Sequence, residues 1–267
     1  MLKIENLSFS YGNFPVLQGI SLHVQKGALC GLFGPNGSGK TTLFKCALQF
    51  LRNYSGTIRI NGHDVSRMKV EEIARNISYV PQEHRPPFPY LASEVVLMGR
   101  SPYLGGIFGL SNEDEKIATD AMDLIGISDL ADIPYTMLSG GQRQMVLIAR
   151  AIAQRTQAIF LDEPTAALDY HNQHLVWKVI REIADDGMTI LACTHNPNHV
   201  SWYCDHAIVM NRNGILGTGD PGTVMTQDTL NQLYCGSCAM RKMDGIPLIL
   251  PQDVINRTEC VQAGGGM

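Results

Sequence analysis

No stretch of the 267 residues runs apolar for the roughly 18 residues that a membrane-spanning helix needs, so the chain is not expected to cross a bilayer. The opening Met1-Leu2-Lys3-Ile4-Glu5 lacks the charged and apolar regions of a secretory signal, which leads to the expectation of a cytoplasmic chain. Basic residues are in deficit: 21 Lys and Arg face 25 Asp and Glu, a formal net charge of −4. A domain that grips nucleic acid carries a basic surplus, so nucleic acid is not expected as a partner. No internal repeat is found. Seven cysteines is an odd count, and Cys30, Cys46 and Cys193 lie in apolar segments where reduced thiols pack as small hydrophobes. Cys235-Gly236-Ser237-Cys238 has the spacing of zinc or disulfide-exchange chemistry. It stands without a second pair at ligand spacing, and neither Cys260 nor His206 is an obvious partner, so incidental cysteines are the preferred reading. Hydrophobic residues at 45% and charged residues at 17% describe a folded chain with ample core.

What is present begins at Gly34-Pro35-Asn36-Gly37-Ser38-Gly39-Lys40-Thr41, which fits G-x-x-x-x-G-K-[ST], the phosphate-binding loop of nucleotide triphosphatases. The apolar run Ala28-Leu29-Cys30-Gly31-Leu32-Phe33 before it reads as a buried strand, and Thr42-Leu43-Phe44 after it opens a helix. That order is the context in which the pattern carries meaning. Gly34, Gly37 and Gly39 let the backbone turn sharply and approach a polyphosphate. Successive N–H groups then face one anion-binding hollow, reinforced by the positive end of the helix. Lys40 is expected on the β- and γ-phosphates of a bound nucleotide and the Thr41 hydroxyl on Mg²⁺.

Along the chain, residues 2–7 and 20–24 alternate as half-buried antiparallel strands, with turns at Tyr11-Gly12-Asn13 and Gln25-Lys26-Gly27. Residues 56–60 followed by Asn61-Gly62 signal another hairpin. Ile77-Ser78-Tyr79-Val80 is a short strand that ends at Pro81-Gln82. From about 83 the character changes. The three prolines in Arg85-Pro86-Pro87-Phe88-Pro89-Tyr90 exclude helix or central strand. Residues 93–100 read as a short helix, and Ser111 caps another with Ile117, Ala121, Leu124 and Ile125 on one face, stopped by Gly126. Ser139 caps the next, in which Met145, Ile148, Ala149 and Ile152 recur at helical spacing. Ala158-Ile159-Phe160-Leu161 and residues 189–193 are apolar strands separated by a helix over about 172–184, the pattern of a parallel sheet covered on both faces. Ligands of such sheets bind at the carboxyl ends of the strands. The ends carry Gly34, Asp162-Glu163 and His195. Asp162 is placed for Mg²⁺, and Glu163 for orienting or deprotonating the attacking water. His195 is placed to donate a hydrogen bond to the γ-phosphate and hold that water in line. Beyond about Tyr234 the tail is expected to be irregular, fraying at Gly264-Gly265-Gly266.

Leu138-Ser139-Gly140-Gly141-Gln142 resembles the signature sequence of ATP-binding cassette proteins. The other motifs of that family stand around it in order. Tyr11 resembles the aromatic that stacks on adenine, and Gln82 the glutamine that touches Mg²⁺ and senses the transmembrane partner. Residues 159–165 are similar to the Walker B strand, Ala167-Leu168-Asp169 to the loop crossing between the two sites of a dimer, and His195 to the switch histidine. The resemblance covers residues 1–235. It implies an α/β fold: a P-loop NTPase core with a mainly parallel sheet, an N-terminal antiparallel β subdomain and a helical insertion over about 83–150, followed by a short C-terminal extension over 236–267. It further implies that ATP and Mg²⁺ are held by Tyr11, residues 34–42 (Thr42 included), Gln82, Asp162 and Asp169. Ser139, Gly140, Gly141 and Gln142 would act in trans on the ATP of a second copy packed head to tail. The proline-rich piece is preferred as contact surface for a membrane subunit over a plain linker.

Val95-Val96-Leu97-Met98-Gly99-Arg100-Ser101-Pro102-Tyr103 resembles the importer branch for iron–siderophore complexes, haem and corrinoids, and some molybdate and tungstate importers look similar. The expected assembly is therefore a peripheral ATPase subunit on the cytoplasmic face of the membrane, bound to permease subunits and served indirectly by a solute-binding protein. The alternative is a soluble cassette ATPase of iron–sulfur assembly or DNA repair, against which stand the acidic charge, the single cassette and the importer-like segment. A simple P-loop kinase or GTPase is opposed by the signature sequence and by the lack of an Asn-Lys-x-Asp motif.

Overall fold

The computed structural model describes residues 1–82, 88–104 and 109–257. Its strands in chain order are β1 (Leu2–Tyr11), β2 (Phe14–Val24), β3 (Leu29–Phe33), β4 (Ser55–Ile60), β5 (His63–Asp64), β6 (Ile77–Val80), β7 (Ala158–Asp162), β8 (Thr189–Thr194), β9 (His206–Asn211), β10 (Gly214–Gly219), β11 (Cys238–Met243) and β12 (Ile246–Pro251). The helices are α1 (Lys40–Ala47), α2 (Val70–Asn76), α3 (Ala92–Leu97), α4 (Asn112–Ile125), α5 (Gly140–Ala153), α6 (Tyr170–Asp185), α7 (Pro197–Tyr203), α8 (Pro221–Val224) and α9 (Gln227–Tyr234).

Two sheets carry the fold. The first is antiparallel in the order β2-β1-β4-β5; the second runs β10-β9-β3-β8-β7-β6. Every pairing in the second is parallel except that of the edge strand β10 with β9. Strands β3, β7 and β8 are buried at every position, as continuous apolar runs covered on both faces must be. Strands β1 and β2 instead alternate, with one face on the core and one in water. Asn61 and Gly62 both take positive φ (51° and 85°), the turn that matches the twist of the β4–β5 hairpin.

Among the described residues three apolar cores form. One packs α3–α6 on one face of the large sheet, and a second packs α1 and the antiparallel sheet on the other. The third, smaller core joins Phe33, Val200, Ala207, Val209, Met225, Leu230 and Ile249. Ser111 and Ser139 cap α4 and α5 as their sequences predict, and Gly126 ends α4 in the left-handed conformation at φ 74°.

Two expectations are corrected. On α4 the buried residues are Ile117, Ala118, Ala121 and Met122, whereas Leu124 is 60% exposed. At roughly 100° per residue the buried stripe centres between Ala121 and Ile125, and Leu124 falls roughly 90° from that centre, past its edge. The segment after Tyr234 is not irregular: β11 and β12 form a regular antiparallel hairpin from Cys238↔Pro251 to Met243↔Ile246. Its turn is Asp244-Gly245, both at positive φ (50° and 84°), so a two-residue hairpin signal stood in the sequence unread. The expected fraying at 264–266 lies outside the described residues, as do residues 83–87 of the proline-rich piece.

Candidate nucleotide site

The phosphate loop leaves β3 at Gly34, where a Cβ would lie 2.1 Å from the Met210 carbonyl oxygen, so no side chain fits. Gly39, at φ 99°, is the N-cap of α1 and offers no side-chain cap; the first turn holds no acidic residue. The first N–H groups of α1 therefore face outward without a side-chain acceptor, at the positive end of the helix dipole. The Ser38 hydroxyl is buried with no hydrogen-bond partner. Pro35, Asn36 and Gly37 complete the turn, with Ser38 N–H donating to the Pro35 carbonyl at 3.2 Å. Thr42 is buried in the first turn of the helix.

Lys40 is only 5% exposed, and its Nζ folds back on the loop to donate to the carbonyls of Gly34 (2.8 Å) and Pro35 (3.2 Å). Its nearest carboxylate is Glu163, with Oε1 at 3.6 Å. Thr41 Oγ1 donates to Asp162 Oδ1 at 3.1 Å, and the Tyr79 hydroxyl donates to Oδ2 at 3.1 Å. Burial lifts the Asp162 carboxyl above its ordinary range, and the hydrogen bonds from Thr41 and Tyr79 oppose that lift. Burial, with the Asp162 charge beside it, raises the Tyr79 phenol as well, so Tyr79 remains a donor. Sequence reasoning missed Tyr79. The signal was a hydroxyl-bearing ring inside an apolar strand that neighbours the Asp162 strand.

Glu163 sits in the left-handed region at φ 50°, where its N–H donates to the Cys193 carbonyl at 3.2 Å. That kink swings its carboxylate, 10% exposed, towards Lys40 and His195, whose Nδ1 lies 2.8 Å from Glu163 Oε2. Three adjacent strands thus bring Lys40, Asp162, Glu163 and His195 to one carboxyl-terminal edge. Thr41 Oγ1 and the Asp162 carboxylate are hard oxygen donors side by side, a set that fits Mg²⁺ rather than a soft transition metal.

Tyr11 ends β1 opposite Phe14, 45% exposed, with its ring edge-to-face against Phe9 at 4.8 Å. This hairpin adjoins the loop, since Leu17 and Val16 lie against Gly39. Phe14, 78% exposed, is a second free aromatic at the same place that sequence reasoning passed over.

Not everything converges. Gln82 is exposed and lines a cleft of about 210 Å³ with Gly140, Gln144, Glu163 and Leu168, without a hydrogen bond to Thr41 or Asp162. Among the described residues, no hydrogen bond or ion pair joins residues 34–42 to residues 139–142. Ser139 and Gln142 are exposed, and Gly141 packs so closely on α6 that a Cβ there would lie 2.5 Å from Asn172 Oδ1. Asp169 caps α6, accepting from Asn172 N (2.9 Å) and Nδ2 (2.7 Å), and those bonds hold its carboxyl below the usual range. The Cys235-Gly236-Ser237-Cys238 segment is a helix stop: Cys235 and Gly236 both take positive φ (52° and 77°), and Ser237 Oγ donates to the Tyr234 carbonyl. Both thiols are free, and no metal-holding cluster of His, Cys, Asp and Glu occurs among the described residues.

The ABC transporter sequence profile matches residues 17–166. The iron(3+)-hydroxamate import ATP-binding protein FhuC of Bacillus subtilis is 33% identical over 234 residues, 87% of either chain. The hemin import ATP-binding protein HmuV of Streptomyces coelicolor is 36% identical over 223 residues, 84% of this chain and 79% of that one. A metal-chelate type ABC transporter solved in an inward-facing conformation superposes with a TM-score of 0.81 at 32% identity, covering 94% of this chain and 96% of that one. The family model spans more than half of the chain and these relatives align over most of it: this chain belongs to the ABC transporter family, among its ATP-hydrolysing, ATP-binding subunits.

Proposed function

We propose that the chain powers uptake of a metal chelate, of the iron–siderophore or haem class, as one of two ATPase subunits on the cytoplasmic face of a membrane permease. The observation that carries the reading is the gathering of Lys40, Glu163 and His195 beside the Thr41–Asp162 pair. It is supported by relatives named for hydroxamate and hemin import.

In the mechanism, the N–H groups of the loop and of α1 bind the β-phosphate of ATP. Lys40 leaves the carbonyls of Gly34 and Pro35 for the phosphate oxygens, exchanging two neutral acceptors for an anionic one. Thr41 and Asp162, with Gln82 at the margin, would hold Mg²⁺, which would neutralise charge on the phosphates. Glu163 orients and deprotonates the water, and His195, bonded to Glu163, keeps the base aimed. Ser139 and the N–H groups of Gly140 and Gly141 face a second copy, whose ATP they complete, with Gln142 and Asp169 at the same seam. Tyr11 stacks on the adenine.

Coupling to the permease is assigned to a groove of about 300 Å³ lined by Phe50, Val70, Ile73, Tyr79, Met98 and Pro102. Phe50 and Val70 are 58% and 45% exposed, a large apolar surface for a short helix of a membrane subunit to cover. One wall is the importer-like segment 95–103, held rigid by Arg100, which pairs with Asp114 at 2.8 Å, donates to the Ala153 carbonyl and carries the Tyr103 ring. A solute-binding protein delivers the cargo to the permease and does not touch this chain. The test is capture from detergent-solubilised membranes. Wild type should retain a multi-spanning protein that Phe50→Arg loses, and a purely soluble partner set would instead favour a non-transport cassette ATPase.

A further inference from the structure

The third core ties the end of the chain to the histidine loop. Tyr234, the last residue of α9, packs its ring against Phe33 at 6.3 Å, the residue immediately before the phosphate loop. Its hydroxyl donates to the backbone carbonyl of His195 at 3.3 Å. Burial pushes the Tyr234 phenol up to about 12, so it stays protonated and remains a donor at any physiological pH. From the other side, β12 grips α7, the helix that starts two residues after His195. Asn198 Oδ1 accepts from Ile249 N at 2.9 Å, Asn198 Nδ2 donates to the Ile249 carbonyl at 3.2 Å, and Trp202 Nε1 donates to the Pro247 carbonyl at 2.7 Å. Residues 195–202 are thus held between the end of α9 and the hairpin that follows it.

From this geometry we infer that Tyr234 is a positioning residue for ATP hydrolysis, and that α9 with the β11–β12 hairpin forms a brace that fixes His195 against Glu163. The inference rests on the reading of His195 as the residue that aims Glu163. The physical reason is the freedom of the histidine: its side chain is 47% exposed, and among the described residues its ring makes a single hydrogen bond, that to Glu163. A carbonyl pinned by Tyr234 fixes the peptide plane from which that ring projects. Releasing it lets the imidazole sample orientations that do not meet Glu163, which slows the chemical step without touching the loop that binds ATP.

The full-length chain tests this with Tyr234→Phe, which keeps the ring on Phe33 and removes only the hydroxyl. The expected result is a kcat lower by about fivefold, the scale of one hydrogen bond, with KM for ATP held within about twofold. The His195 ring resonances in an NMR spectrum should shift while those of the distant His63 stay in place. Asn198→Ala, which loosens the brace from the hairpin side, should move kcat and the same resonances in the same direction. An unchanged kcat in Tyr234→Phe overturns the inference. So does a fall in kcat with His195 resonances unmoved, or one accompanied by an equal rise in KM. The underlying reading is tested separately by His195→Ala: turnover at the wild-type rate there removes the histidine from its role, whatever Tyr234→Phe shows.

Discussion

Two helices of this protein start at anion-binding sequences, and they start in opposite ways. α1 opens at Gly39 with no side-chain cap, no acid in its first turn and Lys40 folded beneath it. α5 opens at Ser139 with a complete capping box: Ser139 Oγ accepts from Gln142 N at 3.2 Å, and Gln142 Oε1 accepts from Ser139 N at 2.9 Å. The first presents N–H donors with no side-chain acceptor, beside a buried lysine whose contacts to two carbonyls can be given up. In the second the Ser139 and Gln142 N–H groups are bonded within the box, and Ser139, Gly140 and Gln142 are exposed to water. The difference teaches which ligand each expects. A free phosphate has more reason to enter the first than the second, whose uncapped Gly140 and Gly141 N–H groups are expected to serve when another surface brings a phosphate to them. On this physical ground the loop is expected to bind nucleotide first and the Ser139 end to join afterwards.

The strongest challenge to this order is Glu163→Gln. Loss of the base should lower turnover by about 10²–10⁴-fold while leaving the α1 site able to bind ATP, so that closed dimers accumulate, as read by light scattering after size exclusion. Turnover at the wild-type rate would remove Glu163 from the reaction. Next in size is Ser139→Arg, which puts a long cation where the second copy's phosphate loop must seat. ATP affinity of the single chain should be unchanged by calorimetry, but ATP-dependent dimers should vanish and hydrolysis fall on the order of tenfold or more. Normal turnover in that variant would mean that α5 plays no part in trans.

A third helix start sharpens the contrast because it is capped and half-buried. At α7, Asn196 Oδ1 accepts from Asn198 N, and Asn196 Nδ2 meets His199 Nε2 at 3.2 Å. Burial, then the neighbouring His195, lowers the His199 pKa from 6.5 to about 4. The unfolded chain binds this proton at a higher pH than the folded one, so the contribution is complete above pH 6.5 and is lost as pH falls through 4. The loss amounts to about 3 kcal/mol, and His199→Gln should flatten the decline in melting temperature over that window. Smallest is Ser139→Ala. It removes the box at α5 and should lower stability by about 1 kcal/mol in urea, against no comparable cap to lose at α1.

Much of this site was legible because its chemistry is local. A glycine loop between a strand and a helix, Asp162 and Glu163 ending an apolar run, and serines three residues before a glutamine or an aspartate are all short-range patterns with one physical use each. What escaped was long-range or conformational. The bond from Tyr79 to Asp162 spans 83 residues and that from Tyr234 to His195 spans 39, and no spacing rule joins them. The left-handed kink at Glu163 is invisible in residue type, since glutamate has no preference for it. Leu124 misled because apolar periodicity counts a residue at the stripe's edge as though it were at the centre. The Asp244-Gly245 turn was readable, and the short strands on either side concealed it.

The register of the large sheet has a consequence for how such a chain can change over generations. Phe33 lies opposite Thr194 and Asp162 opposite Cys193, so the phosphate loop, the Asp162-Glu163 pair and His195 leave the sheet at one height. Deleting one residue within β8 would shorten that strand by about 3.3 Å and turn every later side chain to the opposite face. His195 would then point away from Glu163, with the apolar character of the strand unharmed. Insertions and deletions should therefore be admitted at the amino-terminal ends of β3, β7 and β8, at the opposite end of the strands from residues 34–42, Glu163 and His195, and refused within the strands themselves.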